Sequence, residues 1–272
     1  MPADPGTHPF VRPAPQASPR VRLVVFPHAG GSGAAYHALR DGLPADWDLL
    51  LLDLPGRGRR HRETPLEDMA ALVRLVAADV LPWAGPPLAL LGHSLGGILA
   101  VEVARALEGR GVEVGWVGVS GRSAPGSAGP RSRLPDLPDE GLLAALGAMG
   151  GLPDRLAALP DFRRQLLRVV RSDLRAADSY RPPGGPRLRA PVTAFAGSED
   201  TWAPPSAVTG WVRETAGAFR FRTFPGGHFY FSGAFGAFSA AVVDEVGRAL
   251  AARAAVGTAV IRPATTLQEE AA

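Results

Sequence analysis

The residues with the clearest chemical potential are Gly92-His93-Ser94-Leu95-Gly96, set between the apolar run Leu88 to Leu91 and the amphipathic stretch that starts at Gly97. A serine on a sharp turn between a strand and a helix has its hydroxyl lifted above the sheet edge. Small residues two positions before and after are needed so that the backbones can meet. The following helix also aims its positive end at the site. A serine hydroxyl is a poor nucleophile at neutral pH until a base takes its proton. Downstream of Ser94 the only histidine is His228, in PGGHFYF just past the apolar stretch Phe219 to Phe224. A carboxylate must fix the tautomer of that base. Asp200, in AGSEDTWAP after the apolar run Val192 to Ala196, is placed to do so, with Glu199 as the alternative.

The tetrahedral oxyanion of acyl transfer needs preorganised donors, each contributing about 3–4 kcal/mol. One is expected from the N–H of Leu95, immediately after the nucleophile. The second is expected in the loop PHAGGSG at 27 to 33, where Ala29 is the candidate. His28 and His93 adjoin this machinery but occupy no base position and are expected to hold loop structure. His8, His37 and His61 have no supported role.

These residues must be positioned by a sheet. Apolar runs at Val21 to Phe26, Trp47 to Leu52, Leu88 to Leu91, Val114 to Val119, Val192 to Ala196 and Phe219 to Phe224 read as buried strands. Stretches at Ala34 to Leu43, Leu66 to Trp83, Gly97 to Gly109, Pro205 to Ala216 and about Ser232 to Arg253 read as helices. The alternation is that of a mostly parallel, doubly wound sheet flanked by helices, and with the serine turn it points to the α/β-hydrolase fold. Between about 122 and 185 the alternation breaks, and a helical lid is expected. Phe162, Leu166, Val170 and Leu174 recur every four residues on one helical face, with Leu142, Leu143 and Leu146 as a second apolar group. Phe162, Leu166 and Val170 are the candidate acyl contacts, although such faces more often simply pack on the main domain. The hydrolase domain is expected over residues 21 to 253, between flexible tails at 1 to 20 and 254 to 272.

Composition removes several other chemistries. All 29 basic residues are arginine, so Walker A loops and pyridoxal Schiff bases, which need a lysine, are excluded. Six scattered histidines, no HExxH and no cysteine leave no zinc site, and no metal or other cofactor is expected. A net charge of +3 comes without a clustered basic stripe, so no nucleic-acid partner is expected. No signal-like or membrane-length apolar run occurs, which points to a cytoplasmic protein, with a monomer as the expected state.

The chain resembles the stand-alone type II thioesterases of polyketide and nonribosomal peptide assembly lines. The likeness covers about Val21 to Leu250 and rests on FPHAGG at 26 to 31, DLPGRGRR at 53 to 60, GHSLGG at 92 to 97, SGR at 120 to 122, DLRAADSYR at 173 to 181 and PGGHFY. PHAGG together with PGRG is more specific than the serine motif alone. The resemblance implies a Ser94, Asp200, His228 triad with Ala29 and Leu95 as oxyanion donors. It further implies hydrolysis of aberrant or short acyl groups from the phosphopantetheine arm of an acyl or peptidyl carrier protein, which would be the partner. Carrier proteins are usually acidic, which suggests docking for the arginines at 57, 59, 60 and 62, although a solvated loop is the simpler expectation and Arg57 suits a structural role in its turn. Two rivals use the same triad: an esterase or lipase acting on diffusible esters, and a product-releasing thioesterase. The latter is ordinarily fused to a synthase, whereas this chain is expected to stand alone. A hydrolase-fold binding protein without chemistry fits poorly with an intact triad.

Overall fold

The computed structural model describes residues 8–127, 133–151, 159–182, 184, 185 and 187–260. Seven strands form one sheet: β1 (Phe10–Val11), β2 (Val21–Phe26), β3 (Trp47–Leu52), β4 (Leu88–His93), β5 (Val114–Ser120), β6 (Val192–Gly197) and β7 (Phe219–Phe224). Their order is β1-β3-β2-β4-β5-β6-β7. All neighbours pair in parallel except β1, which runs antiparallel to β3 with Phe10 opposite Leu52. Strands such as VRLVVF and WDLLLL are buried along their whole length because helices cover both faces, so they read as apolar runs instead of alternating patterns.

One face is covered by α1 (Met69–Val80) and α2 (Leu95–Glu108), whose Leu72, Val76, Ile98 and Val101 join Val24, Leu50 and Leu90 in one core. The other face carries 3₁₀ turns over Gly33–Gly42 and the long α6 (Phe235–Val260). Tyr36, Leu39, Phe238 and Val242 there meet Leu23, Leu49 and Trp116. Between β5 and β6 the chain builds α3 (Asp139–Ala148) and α4 (Pro160–Ser179), which share a small separate cluster of Leu142, Leu143, Leu167 and Val170. α5 (Pro205–Val208) and a 3₁₀ segment (Thr209–Glu214) join β6 to β7.

Several expected elements differ in detail. The strand β1 lies inside the expected N-terminal tail: Phe10 is fully buried against Trp83, and a two-residue strand leaves no periodic signal to read. The helix expected from Leu66 begins at Met69, where Asp68 caps it by accepting from the Ala71 N–H at 2.7 Å. Its end at Trp83 is 3₁₀ around Pro82. The helix expected over Ala34 to Leu43 is 3₁₀, the one expected over Pro205 to Ala216 is a short α turn followed by 3₁₀, and α6 starts after Gly233, whose φ of 80° interrupts the approach. α6 continues to Val260, into the expected C-terminal tail; residues 1–7 and 261–272 of the two tails lie outside the described residues. No helix among the described residues is long and apolar enough to cross a membrane.

Candidate active site

The turn between β4 and α2 carries Ser94 at φ 56° and ψ −115°, the one non-glycine residue with positive φ among the described residues. Such a conformation costs about 1–3 kcal/mol and persists only where its surroundings enforce it. Here the Ser94 N–H donates to the Ser120 carbonyl at 2.8 Å on the neighbouring strand, and the Ser94 carbonyl accepts from Gly97 N–H at 3.0 Å. A Cβ on Gly92 would strike the Gly96 carbonyl, and one on Gly96 would strike the Phe26 carbonyl. Both glycines are therefore dictated by the close approach of the turn to β2 and to itself. Leu95 begins α2, so its N–H is one of the first-turn donors without an intrahelical acceptor.

His228 lies four residues past the end of β7, and its Nδ1 sits 2.8 Å from Asp200 Oδ2. The other carboxylate oxygen of Asp200 accepts from the backbone N–H groups of Trp202 and Ala203 at 2.8 and 3.0 Å. Burial works against the ionised form of Asp200. The hydrogen bond and charge of His228 and the two backbone donors outweigh it, and the carboxyl lies below its ordinary range. An ionised carboxylate only accepts, so Nδ1 is the ring nitrogen that donates to Asp200 and Nε2 is the one turned away from it. Glu199, the alternative carboxylate, is exposed, so the partner of His228 is Asp200.

Ser94, His228 and Ala29 line one cavity of about 840 Å³, together with Leu166 and Val170 from α4. Phe162 does not line it and stands 39% exposed. A four-residue step overshoots a helical turn by about 40°, so Phe162, two steps before Val170, has rotated about 80° away from the chamber. Leu134, Leu137, Leu146 and Leu174 complete the apolar wall. Trp202, 45% exposed, also borders the cavity.

The neighbouring histidines are structural in their contacts. His93 Nδ1 meets Ser120 Oγ at 2.8 Å, and that hydroxyl meets Tyr230 Oη at 2.6 Å. Burial, then the nearby His228 and His28, hold the His93 imidazole well below its usual range. His28 Nδ1 meets Tyr36 Oη at 2.8 Å, and burial, with His228 and Arg57 adding to it, lowers its value to about 3.

A network that the motifs hinted at only in part holds the loop with Ala29. Asp53 at the end of β3 accepts from Gly33 N–H and Arg59 N–H, both at 2.9 Å. Arg57 is buried, and its two terminal nitrogens reach Asp173 of α4 at 2.6 and 2.7 Å, a bidentate pair. Asp173 also accepts from Gly30 N–H at 2.7 Å, tying α4 to the residue beside Ala29. A Cβ on Gly30 would overlap Val170, so helix and loop are in direct contact. Of the four arginines considered for docking, two are engaged within the fold. Arg57 is an internal tie, and Arg60 is paired with Glu63 and Asp79 at 2.6 and 2.7 Å. Arg59 and Arg62 remain on the exposed side.

Known proteins show the same architecture. The thioesterase domain family matches residues 21–248. The thioesterase PikA5 of Streptomyces venezuelae is 37% identical over 262 residues, spanning 96% of this chain and 91% of that protein. The type II thioesterase BorB from the borrelidin biosynthetic cluster superposes with a TM-score of 0.80 at 33% identity, over 87% of this chain and 97% of BorB. YbtT, a type II thioesterase from the yersiniabactin NRPS/PKS biosynthetic pathway, gives 0.79 at 28% identity, over 89% and 99%. A serine at an enforced turn, a histidine held by a buried carboxylate and a match along most of the domain lead to one conclusion: the chain belongs to the thioesterase domain family and is a hydrolase of the α/β-hydrolase fold acting on thioesters.

Proposed function

We propose that this thioesterase removes acyl groups from the phosphopantetheine arms of carrier proteins in polyketide or nonribosomal peptide assembly, through an acyl-enzyme on Ser94. The observation that carries the reading is the cavity shared by Ser94 and His228, with Asp200 bonded to the far nitrogen of that imidazole. Ser94 Oγ attacks the thioester carbonyl carbon as its proton passes to His228 Nε2. The developing oxyanion is held by the N–H groups of Leu95 and Ala29. The C–S bond then breaks and the thiol leaves with the proton from His228. Water next attacks the acyl-Ser94 ester, giving its proton to His228, and the acid departs as Oγ regains that proton. A thiolate is a good leaving group, so the demanding parts are positioning and oxyanion stabilisation.

The carrier as substrate is supported by the relatives, among them the type II thioesterases BorB, from the borrelidin biosynthetic cluster, and YbtT, from an NRPS/PKS biosynthetic pathway. An apolar chamber built by Leu166, Val170 and the leucines of the α3 region suits short or medium acyl chains. The acyl groups removed are, on this view, aberrant or short ones. In this reading α3 and the proline-rich approach at Leu134 to Pro138 form the moving part of the lid, because they share only a small core with α4. The test is a hydrolysis profile across carrier proteins bearing acetyl, propionyl, malonyl and longer acyl groups, beside matched oxygen esters. Preference for short, non-extendable acyl-carrier thioesters is expected. Faster turnover of the diffusible oxygen esters would mark a general esterase instead.

A further inference from the structure

Arg122 is the second residue after β5 and lines the same cavity as Ser94. A Cβ on Gly97 would lie 3.2 Å from the Arg122 Cβ, so the arginine side chain starts beside the turn that carries the nucleophile. Its backbone is fixed, since the Arg122 carbonyl accepts from Trp211 Nε1 at 2.7 Å. Other shielded arginines are paired with carboxylates: Arg22 with Asp48, Arg57 with Asp173, Arg60 with Asp79. Arg122 is only partly exposed, yet its guanidinium makes no hydrogen bond or ion pair among the described residues.

Asp178 and Tyr180 border the same cavity, but the Tyr180 hydroxyl is committed to Glu102 at 2.8 Å. Burial pulls the guanidinium below the ordinary arginine range, and the nearby Asp178 and Tyr180 offset this only in part. A guanidinium has five donors, and those of Arg122 are not sealed from solvent, so a ligand oxygen entering the cavity can reach them. The charge of Asp178 acts on Arg122, so a neutral acceptor oxygen suits these donors without placing a second anion beside that carboxylate.

We propose that Arg122 is a specificity anchor that hydrogen-bonds a neutral carbonyl or hydroxyl oxygen of the bound acyl-pantetheine, beside Ser94. The proposal rests on the thioesterase reading above and adds a ligand chemistry to it. The oxygen has two sources, a β-keto or β-hydroxy group on the acyl chain or an amide carbonyl of the arm.

The test compares the parent with Arg122→Met and Arg122→Lys on butyryl, 3-oxobutyryl, 3-hydroxybutyryl and malonyl thioesters, each made with pantetheine and with ethanethiol, which lacks amides. A lost hydrogen bond to a charged donor lowers kcat/KM by about 10- to 100-fold. If the acyl chain is the source, Arg122→Met shows this loss on the two β-oxygenated neutral substrates with either thiol and spares butyryl. If the arm is the source, the loss follows pantetheine whatever the acyl group and is absent with ethanethiol. In both cases Arg122→Lys recovers part of it. Equal losses on every substrate including butyryl ethanethioester, or no loss on any, would overturn the anchor, and a loss confined to malonyl would overturn the choice of a neutral oxygen. A parent chain inactive on all these thioesters would instead break the underlying reading.

Discussion

The proposed reacting groups are held by short-range chemistry that a single atom can spoil. In Asp200→Asn the two backbone donors to the side-chain oxygen can remain while His228 loses the acceptor that fixes its tautomer. The expected result is a fall in kcat of about 10⁴-fold with the fold intact, measured by steady-state thioester hydrolysis beside a circular dichroism melt. Retained kcat would mean that another group orients the base. Gly96→Ala should be worse than its one added methyl suggests, because the Cβ meets the Phe26 carbonyl, which cannot move without breaking β2. Loss of activity together with a lowered Tm is expected. These residues were legible in the sequence because the serine turn is a local motif and one histidine remained downstream. Arg122 and Asp173 were visible only as members of a likeness, since their environments are assembled from distant segments.

At the level of elements, the proposed reading makes α4 a wall and α3 the looser part. α4 is tied to the loops after β2 and β3 by Asp173 on Gly30 and Arg57, and by Gln165 Nε2 on the Gly56 carbonyl at 2.7 Å. Truncation to Asp173→Ala leaves Arg57 buried without its partner, and removing one member of such a pair costs about 3–5 kcal/mol. A chemical denaturation curve should show that loss, and a variant within 1 kcal/mol of the parent, on the scale of an exposed pair, would refute the tie. Amide exchange should be faster in α3 than in α4, and faster in both than in β4 and β5. Equal protection of α3 and β4 would remove the lid movement. The strands were legible to within a residue or two because a sheet covered on both faces writes itself as apolar runs. The exceptions have physical causes. Phe10–Val11 is too short for a period, 3₁₀ and α turns share their apolar spacing at these lengths, and a pair such as Arg57 with Asp173, 116 residues apart, has no signature in spacing at all.

Over the whole molecule, stability is coupled to pH through the histidines packed under the site. His28, with a folded value of about 3, and His93, also well below the ordinary 6.5, stay neutral in the folded chain where the unfolded chain takes up protons. Stability is therefore fully expressed above about 6.5 and falls as pH drops from there, by about 1.4 kcal/mol per pH unit for each histidine. Asp200, depressed below its usual value, contributes above about 3.9 and loses its share only as pH falls through its folded value, outside that window. Urea unfolding at pH 7, 6 and 5 should show this slope, and a flat profile would contradict the buried neutral state of both rings. In the proposed mechanism the fold serves to bring Ser94 together with Asp200 and His228, which both lie more than a hundred residues further along the chain. The most direct measurement is peptide mapping by mass spectrometry after treatment with a fluorophosphonate. The account predicts a single adduct on the peptide bearing Ser94, formed at least about 10³-fold more slowly in His228→Ala. An adduct on a different residue, or equal labelling rates with and without the imidazole, would contradict it.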